Sequence, residues 1–279
     1  MKIEVLLTIM NCKNKEEYKK ILISNKITGK VLATNQLQGE KITVNKNGKR
    51  LISYNEIGAS KNRNHLLENA EGEICIFADN DTVFVDNYES IIENEYKKNK
   101  DADIIIFYAE NQNKNREKNK KIGNKKINKI NLMKIRTNEI SIKKETIEKI
   151  RKNNIKFDIN FGPGSIFEKG EETILIADLL NAGMKIYSVN KTISSSKNES
   201  STWFSGFNEK FLFDQGAIFY RIYKNKCKIM ILQYLIRKYY LYKKNINIRQ
   251  AYKAMCKGAL ACAVGEMDNC KYERKKDKQ

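Results

Sequence analysis

The sequence predicts an α/β protein with a mostly parallel sheet flanked by helices. Three apolar runs, Ile3–Met10, Ile74–Ala78 and Ala102–Tyr108, indicate buried strands. Continuous apolar runs of about four to eight residues are typical of strands covered on both faces. Polar residues follow where the first two runs end, and ligands of open α/β sheets bind at the carboxyl ends of strands. A functional site is therefore expected at that edge.

Between the first two runs the sequence predicts a short helix or loop, a second strand and a hairpin. The helix or loop spans residues 16–24, and Val31–Thr34 is the strand, which ends in Asn35 and Gln36. Residues 38–50 form the hairpin, because their Asn-Gly pair favours a tight turn.

Residues 58–64, Gly-Ala-Ser-Lys-Asn-Arg-Asn, open the next predicted helix. Ser60 is placed as its N-cap, and Leu66 and Leu67 give it an apolar face. A helix N-terminus binds anions, and Arg63 could add a bidentate fork to such a site. The alternative is an ordinary capped helix with surface cations.

The strand Ile74–Ala78 ends in Asp79-Asn80-Asp81, two carboxylates on either side of an amide. Hard oxygen donors at this spacing suit Mg or Mn, and such a cation suits a diphosphate. The alternative is a solvated acidic turn.

The middle of the chain alternates basic and apolar segments. Residues 111–135 carry nine Lys or Arg against one acid, which predicts an exposed loop, either a flap over an anionic substrate or a solvated loop. A short basic helix is predicted over residues 142–153 and a Pro/Gly loop over residues 157–164. Glu171 and Glu172 then open an apolar helix that ends near Asn181. Acids in the first turn of a helix also complement its dipole, which is the alternative reason for their presence. A further strand is predicted over residues 184–189.

Composition narrows the class of protein. The chain has 279 residues, 41% of them hydrophobic, with a net charge of +20. This is a globular composition, and a basic surface attracts nucleic acid, anionic lipid or phosphorylated substrates. Abundant Lys, Asn and Ile also fit AT-biased coding. The six cysteines form no Cys-x-x-Cys pair and His65 is the only histidine, which argues against zinc. With no signal peptide and no membrane span recognised, we expect reduced thiols in a cytoplasmic protein.

The segment Arg221–Lys257 contains eleven Lys or Arg, six Tyr and no acid. An apolar stripe at helical spacing runs through it, formed by Ile229, Leu232, Ile236 and Tyr239 or Tyr240. A basic helix of this kind predicts binding to an anionic membrane surface. The alternative is a core helix with a solvated basic face.

The order of these motifs resembles a family 2 glycosyltransferase with the GT-A fold, from about residue 3 to about residue 215. In that family a Gly-x-Ser-x-x-Arg-Asn turn precedes an acidic strand ending, and a Gly-Glu-Asp-Thr helix start follows. The helix start here is Gly-Glu-Glu-Thr at residues 170–173. Residues 201–210 also resemble a subgroup from bacterial capsule and lipopolysaccharide clusters. The resemblance divides the chain into a GT-A domain, 1–215, and a basic helical region, 216–279.

The resemblance implies a Rossmann-like nucleotide-diphospho-sugar transferase, with a mixed, mostly parallel sheet. It implies inverting, metal-assisted hexosyl transfer from a nucleotide-diphosphate sugar to a glycan or lipid-linked acceptor in bacterial surface polysaccharide synthesis, at the cytoplasmic face of the membrane. The implied nucleotide-sugar-binding residues are Thr8, Asn35, Gln36, Ser60, Arg63 and Asp79. Asp81 would hold Mn or Mg together with Asp79. Glu172 would be the general base and Glu171 would orient the acceptor or the base.

Two departures from the family pattern are visible. Glu172 stands where the family usually has Asp, and no histidine metal ligand occurs near Lys197. The alternative to a strongly bound metal is therefore that Lys197 supplies the positive charge directly. A nucleic-acid-binding protein is the competing class suggested by the net charge, although no nucleic-acid partner is expected under the transferase hypothesis. A sugar nucleotidyltransferase is less favoured, because residues 6–13 contain no glycine.

Overall fold

The computed structural model describes residues 1–111, 123–129, 131–197 and 206–265. The strands are β1 (Ile3–Met10), β2 (Lys30–Gln36), β3 (Thr43–Lys46), β4 (Lys49–Tyr54), β5 (Ile74–Asp79), β6 (Thr82–Phe84), β7 (Ile104–Asn111), β8 (Lys125–Lys126), β9 (Ile140–Lys143) and β10 (Ile186–Ser196). The helices are α1 (Lys15–Ser24), α2 (Ala59–Asn69), α3 (Tyr88–Lys98), α4 (Lys144–Lys152), α5 (Glu171–Asn181), α6 (Glu209–Tyr223), α7 (Cys227–Arg237), α8 (Tyr239–Tyr242) and α9 (Ile248–Val264).

The strands form one mixed sheet in the order β3-β4-β2-β1-β5-β9-β7-β10-β6, with β8 paired to β10. Strands β4, β2, β1 and β5 are parallel to one another, and β7 is parallel to β10. Strand β9 lies between β5 and β7 and is antiparallel to both. The predicted fold class, a mostly parallel sheet flanked by helices with a helical C-terminal region, is confirmed.

Strand β9 is the main element that sequence reasoning missed. The predicted basic helix over residues 142–153 begins instead at Lys144, and the residues before it pair with β5 and β7. Four residues directly joined to a helix give no period of their own, so the strand could not be separated from the helix by pattern.

Helices cover both faces of the sheet because apolar side chains alternate along the strands. On β1, Val5 and Leu7 pack toward α1 and α3, whereas Leu6 packs toward α2, α5 and α6. The hairpin is also as predicted: β3 pairs antiparallel with β4, and Asn47 and Gly48 have φ of 51° and 73°. Both are left-handed conformations that this two-residue turn requires.

The segment over residues 111–135, predicted as an exposed loop, is largely exposed in its described part but is anchored to the core at three positions. Residues 112–122 and 130 lie outside the described residues. In the remainder, β8 pairs with β10, and Ile127, Leu132 and Ile135 are buried in the core. Scattered isoleucines in a lysine-rich segment here mark core contacts.

The predicted boundary at residues 215/216 falls inside helix α6. Phe213 and Ile218 of α6 belong to the core beneath the sheet, whereas Leu212 and Phe219 pack with the C-terminal helices. One helix therefore serves both halves of the chain. None of the described helices has both the length and the apolar character that a membrane crossing needs.

Helices α6 and α9 cross at two glycines. A Cβ added to Gly216 would lie 1.9 Å from the carbonyl oxygen of Met255, and one added to Gly258 would lie 1.8 Å from that of Phe213. The backbones are therefore in direct contact, and each glycine makes room for the other helix.

We predict that Gly258→Ala lowers the melting temperature. In an open helix, alanine would stabilise by about 0.5–1 kcal/mol relative to glycine. Here the methyl group must push α6 away, and overpacking typically costs about 1–3 kcal/mol. Thermal unfolding checks the sign, with Lys253→Ala at an exposed position of α9 as the control. A melting temperature equal to or above that of the wild type would contradict this packing.

Candidate active site

The site is built where β1 and β5 end side by side. These strands are parallel and in register, with Thr8 opposite Asp79. The Thr8 hydroxyl donates to Oδ1 of Asp79 at 2.7 Å. The Asp79 side chain keeps 37% of its surface exposed, so it faces the open edge of the sheet. The strand ending predicted from the sequence is therefore a solvent-accessible acidic corner.

A buried arginine joins this corner to the start of α5. Arg63 of α2 donates to Oδ1 of Asp79 at 3.1 Å and to Oε1 of Glu171 at 2.7 Å. Its guanidinium lies 5.8 Å from the centre of the Phe157 ring. The third donor of the fork, Nε, is buried and has no hydrogen-bond partner among the described residues. Arg63 thus holds an acid of β5 and an acid of α5 on one planar group.

The protonation of Arg63 and Glu172 follows from this burial. Desolvation alone would lower the pKa of Arg63, but Asp79, Glu171 and Glu172 together raise it, so the guanidinium stays charged. Burial, followed by repulsion from Glu171, raises the pKa of Glu172 well above its ordinary value, and Arg63 opposes that rise. Glu172 is therefore a carboxyl that accepts protons readily.

The turn before α2 does not have the predicted cap. Gly58 occupies the N-cap position with φ of 132°, and Ser60 lies inside the first helical turn. The Ser60 hydroxyl is fully buried and donates to the carbonyl of Phe161 at 2.6 Å. The prediction of Ser60 as N-cap is wrong because the helix begins at Ala59, directly after a glycine in the left-handed half of backbone space.

Further polar groups of this turn hold the loop over residues 157–164. The amide of Asn64 bonds both the carbonyl and the N–H of Phe157, at 2.9 and 2.8 Å. The N–H of Ala59 donates to the carbonyl of Pro163 at 3.1 Å. These donors are engaged within the protein, so the turn fastens a loop beside the site.

Asn35 and Gln36, at the end of β2, also bond the backbone. Asn35 is fully buried and bonds the N–H and carbonyl of Cys12 at 3.1 and 2.8 Å. Gln36 bonds the N–H and carbonyl of Gly58, both at 3.0 Å. Both amides lie at the carboxyl edge of the sheet, as predicted. There they bond the backbone of two turns, at Cys12 and at Gly58.

The first turn of α5 is shaped by two glycines. Gly170, with φ of 97°, precedes Glu171, and Gly162, with φ of 100°, lies against it. A Cβ on Gly162 would lie 2.9 Å from the carboxyl carbon of Glu171. Glu171 is thereby buried against the loop, whereas Glu172 beside it is only half-buried.

Three charged residues near α5 were not singled out from the sequence. Lys169 lies 3.0 Å from the centre of the Phe211 ring and donates to Gln215 at 3.0 Å. Lys210 pairs with Asp214 at 2.6 Å. Burial lowers the pKa of Lys169 and raises that of Asp214. No spacing links residues 169 and 210–215, so only the packing of α6 on α5 brings them together.

Asp81 lies at the far side of the acidic corner. Its Oδ2 accepts from the hydroxyl of Ser196 at 2.7 Å, and its carbonyl accepts from the N–H of Lys197 at 2.9 Å. The Lys197 ammonium donates to Ser24 and Asn25, both at 2.7 Å. Partial burial lowers the pKa of Lys197, and the Asp81 carboxylate opposes this shift. Lys197 therefore stands beside the acid pair, as the sequence had suggested.

Asp79 and Asp81 are the acids of this corner that could contribute oxygen ligands to a divalent cation. The described residues contain no group of three or more His, Cys, Asp or Glu side chains placed to hold a metal. The protein can thus offer Asp79 and Asp81, both hard oxygen donors. Mg is typically bound in this way, by one or two carboxylates plus substrate phosphates and water.

Comparisons with known proteins concern the family and the fold. The family model "Glycosyl transferase family 2" matches residues 44–166. The crystal structure of S. aureus TarS 1-349 in complex with UDP-GlcNAc superposes with a TM-score of 0.63 at 13% identity, covering 97% of this chain and 89% of that chain. The same TarS fragment in complex with UDP gives 0.58 at 11% identity, with the same two coverages. No curated protein matches the chain.

The predicted resemblance to family 2 glycosyltransferases with the GT-A fold is thereby confirmed. The family match includes Arg63, Asp79 and Asp81 but neither Thr8 nor the α5 glutamates. In the structure, Thr8 contacts Asp79 and Glu171 contacts Arg63, so these residues lie next to the part of the chain that the family model matches. Of the subgroup motif over residues 201–210, residues 201–205 lie outside the described residues.

We predict that Arg63→Met destabilises the chain by about 3–5 kcal/mol, because removing one partner of a buried ion pair leaves uncompensated charge. Arg63→Lys should recover only part of the loss, since one ammonium cannot bridge both carboxylates as the fork does. Urea unfolding measures both variants.

Arg50→Met is the matched control. Arg50 also bridges two glutamates, Glu4 and Glu71, but Glu71 is 70% exposed and can be solvated. Its loss should therefore be smaller. Equal losses for Arg63→Met and Arg50→Met would contradict the special position of Arg63.

Proposed function

We propose that this chain is a family 2 glycosyltransferase that moves a hexosyl group from a nucleotide-diphosphate donor to an acceptor hydroxyl, with inversion at the anomeric carbon. The observation that carries the proposal is the Arg63 bridge, which holds the exposed acid Asp79 and Glu171 of α5 about one site, with Glu172 next to Glu171. The UDP-GlcNAc complex of TarS supports a nucleotide-sugar donor.

On the donor side, Thr8 and Asp79 would contact the nucleotide and its sugar, and Asp81 would hold Mn or Mg with Asp79. When bound, that cation supplies positive charge against the charge that develops on the departing diphosphate. Lys197, beside Asp81, would add a second positive charge. Asn35, Gln36 and Ser60 would act by holding the backbone at Cys12, Gly58 and Phe161 in the form that the donor meets.

On the acceptor side, Glu172 would be the general base. As the acceptor oxygen bonds to the anomeric carbon, the carbon–oxygen bond to the diphosphate breaks and the acceptor proton passes to the Glu172 carboxylate. A base works best with a pKa near the working pH, which suits the raised pKa of Glu172. Glu171, held by Arg63, would orient Glu172 or the acceptor. Arg63 itself would offset the negative charge of Asp79 on the donor side and of Glu171 on the acceptor side.

The acceptor would be a glycan or a lipid-linked glycan in bacterial surface polysaccharide synthesis. Its lipid carrier would bring the enzyme to the cytoplasmic face of the membrane. The basic segment that begins at Arg221 supports that placement, since cations near an anionic leaflet are attracted to it.

We predict that Glu172→Gln lowers the single-turnover rate by about 10²-fold or more while donor affinity stays nearly constant. Glu172→Asp should recover part of the rate, since the family usually has Asp at this position. Rapid-quench measurement on a saturated donor complex checks both. A normal rate for Glu172→Gln would move the base to Glu171 or another acid.

The same substitution has a second signature in stability. The folded pKa of Glu172 lies above its ordinary 4.5, so between the two values the folded chain holds a proton that the unfolded chain has lost. Folding stability then falls as the pH rises through this window. Glu172→Gln removes that penalty, so we expect it to melt above the wild type at neutral pH and with a smaller difference below pH 4.5. A lower melting temperature at neutral pH would indicate a stabilising carboxylate instead.

We predict that Asp81→Ala removes turnover and leaves the fold intact, because Asp81 lies beyond the end of β5 and outside the core. The control is Asp86→Ala, on an exposed acid that pairs only at the surface with Lys26. Circular dichroism and sugar transfer with and without EDTA are measured together. Unchanged activity in Asp81→Ala would exclude the proposed metal role.

A further inference from the structure

We infer that α7 and α8 dock on an anionic lipid bilayer through one exposed surface, the α7–α8 face. This face consists of Ile229, Leu232, Ile236, Tyr239 and Tyr240, which are 67%, 52%, 73%, 46% and 50% exposed. A contiguous apolar patch rimmed by polar residues marks an interaction site. This face would bring the chain to the membrane that carries a lipid-linked acceptor. Only that reason for docking rests on the proposed function.

Helix α7 is apolar on two opposite sides, although folding requires only one. Cys227, Ile231 and Leu235 recur every four residues and are buried against α6 and α9. Ile229, Leu232 and Ile236 follow the spacing i, i+3, i+7 on the other side and face solvent. A surface helix of a globular protein normally has charged residues there. The stripe that the sequence left undecided between core and membrane is therefore not the core stripe.

The charge around the face selects the kind of partner. No acid occurs from residue 222 to residue 265. In the part of the chain that the structure describes, none of the ten Lys or Arg from Lys224 to Lys257 forms an ion pair. By contrast Arg221, at the beginning of the segment, pairs with Asp158 and Asp178. The surface thus presents unpaired cations around hydrocarbon side chains.

An anionic bilayer matches both features. Lipid head groups attract the cations, and the acyl boundary accepts isoleucine and leucine. Tyrosines such as Tyr239 and Tyr240 are enriched at this boundary, where a ring can be buried while its hydroxyl stays hydrated. A second copy of the chain would bring like charges together, and a nucleic acid would leave the aliphatic side chains without a partner. The lipid surface is the occupant that satisfies the whole face.

The test is co-sedimentation of the full chain with phosphatidylcholine vesicles and with mixed phosphatidylcholine–phosphatidylglycerol vesicles. We expect binding to the mixed vesicles only. Ile236→Ser should weaken that binding by about tenfold or more, given the value of burying one such side chain. Ile23→Ser is the matched control, because Ile23 on α1 is 77% exposed and lies outside the face. The triple variant of Ile229, Leu232 and Ile236 to Ser should abolish binding.

The charge component has its own matched pair. Lys243→Gln with Lys244→Gln should weaken binding by about fivefold per cation. Lys15→Gln with Lys20→Gln removes the same net charge from α1 and should change binding far less. Equal effects of the two pairs would show that net charge, rather than this face, controls the association.

Several outcomes would overturn the inference. They are equal binding to both vesicle types, unchanged binding of the triple variant, and equal loss in Ile23→Ser and Ile236→Ser. Self-association in light scattering that the triple variant abolishes, without vesicle binding, would identify the face as a contact between copies. Hydrolysis of UDP-, GDP- and dTDP-sugars without vesicles is measured in parallel. The docking variants should keep the wild-type rate, and vesicle binding by a chain that shows no sugar-transfer chemistry would reject the proposed function while docking stands.

Discussion

The site depends on one buried charge. A guanidinium removed from water is stable only with well-placed anions, and Arg63 has them in Asp79 and Glu171. Those anions come from β5 and α5, which are far apart in the chain, and Arg63 comes from α2. The three elements are therefore fixed relative to each other by a requirement of electrostatics, which apolar packing alone would leave adjustable. A buried ion pair of this kind contributes more to geometry than to net stability.

The same requirement explains the chemistry available to Glu172. Arg63 is close enough to lower the pKa of Glu172, but its two amino groups are already committed to Asp79 and Glu171. Glu172 is left with burial and with the repulsion of Glu171, both of which favour its proton. The chain thus maintains a basic carboxyl at some loss of stability, which is common where local strain or repulsion serves a site.

How far the sequence could predict this molecule depended on the type of signal. Apolar runs located β1, β5 and β7, and the acids after β5 pointed to the candidate site, because burial and polarity are local properties. Asn35 and Gln36 were placed at the correct edge as ligands, yet their amides bond backbone at Cys12 and Gly58. A polar residue after a strand reveals its position and not its direction. The cluster of Lys169 with residues 210–215 needed a contact between helices that no sequence period encodes.

The α7 stripe had a different limit. Periodicity identified one apolar side of the helix but could not reveal that the opposite side is also apolar and is the one that packs inward. When both sides carry hydrocarbon, only the neighbours of a helix decide which is core.

The crossing of α6 and α9 brings two helix backbones into direct contact. Backbone carbonyls of Phe213 and Met255 occupy the space where side chains of Gly258 and Gly216 would begin, so no side chain separates the two helices at the crossing. Helix α6 is at the same time part of the core beneath the sheet. If the C-terminal helices bind a membrane as proposed, the contact between α6 and α9 would link the acidic corner to the membrane at a defined distance. Under the proposed docking, that distance would limit which acceptor hydroxyls reach the site.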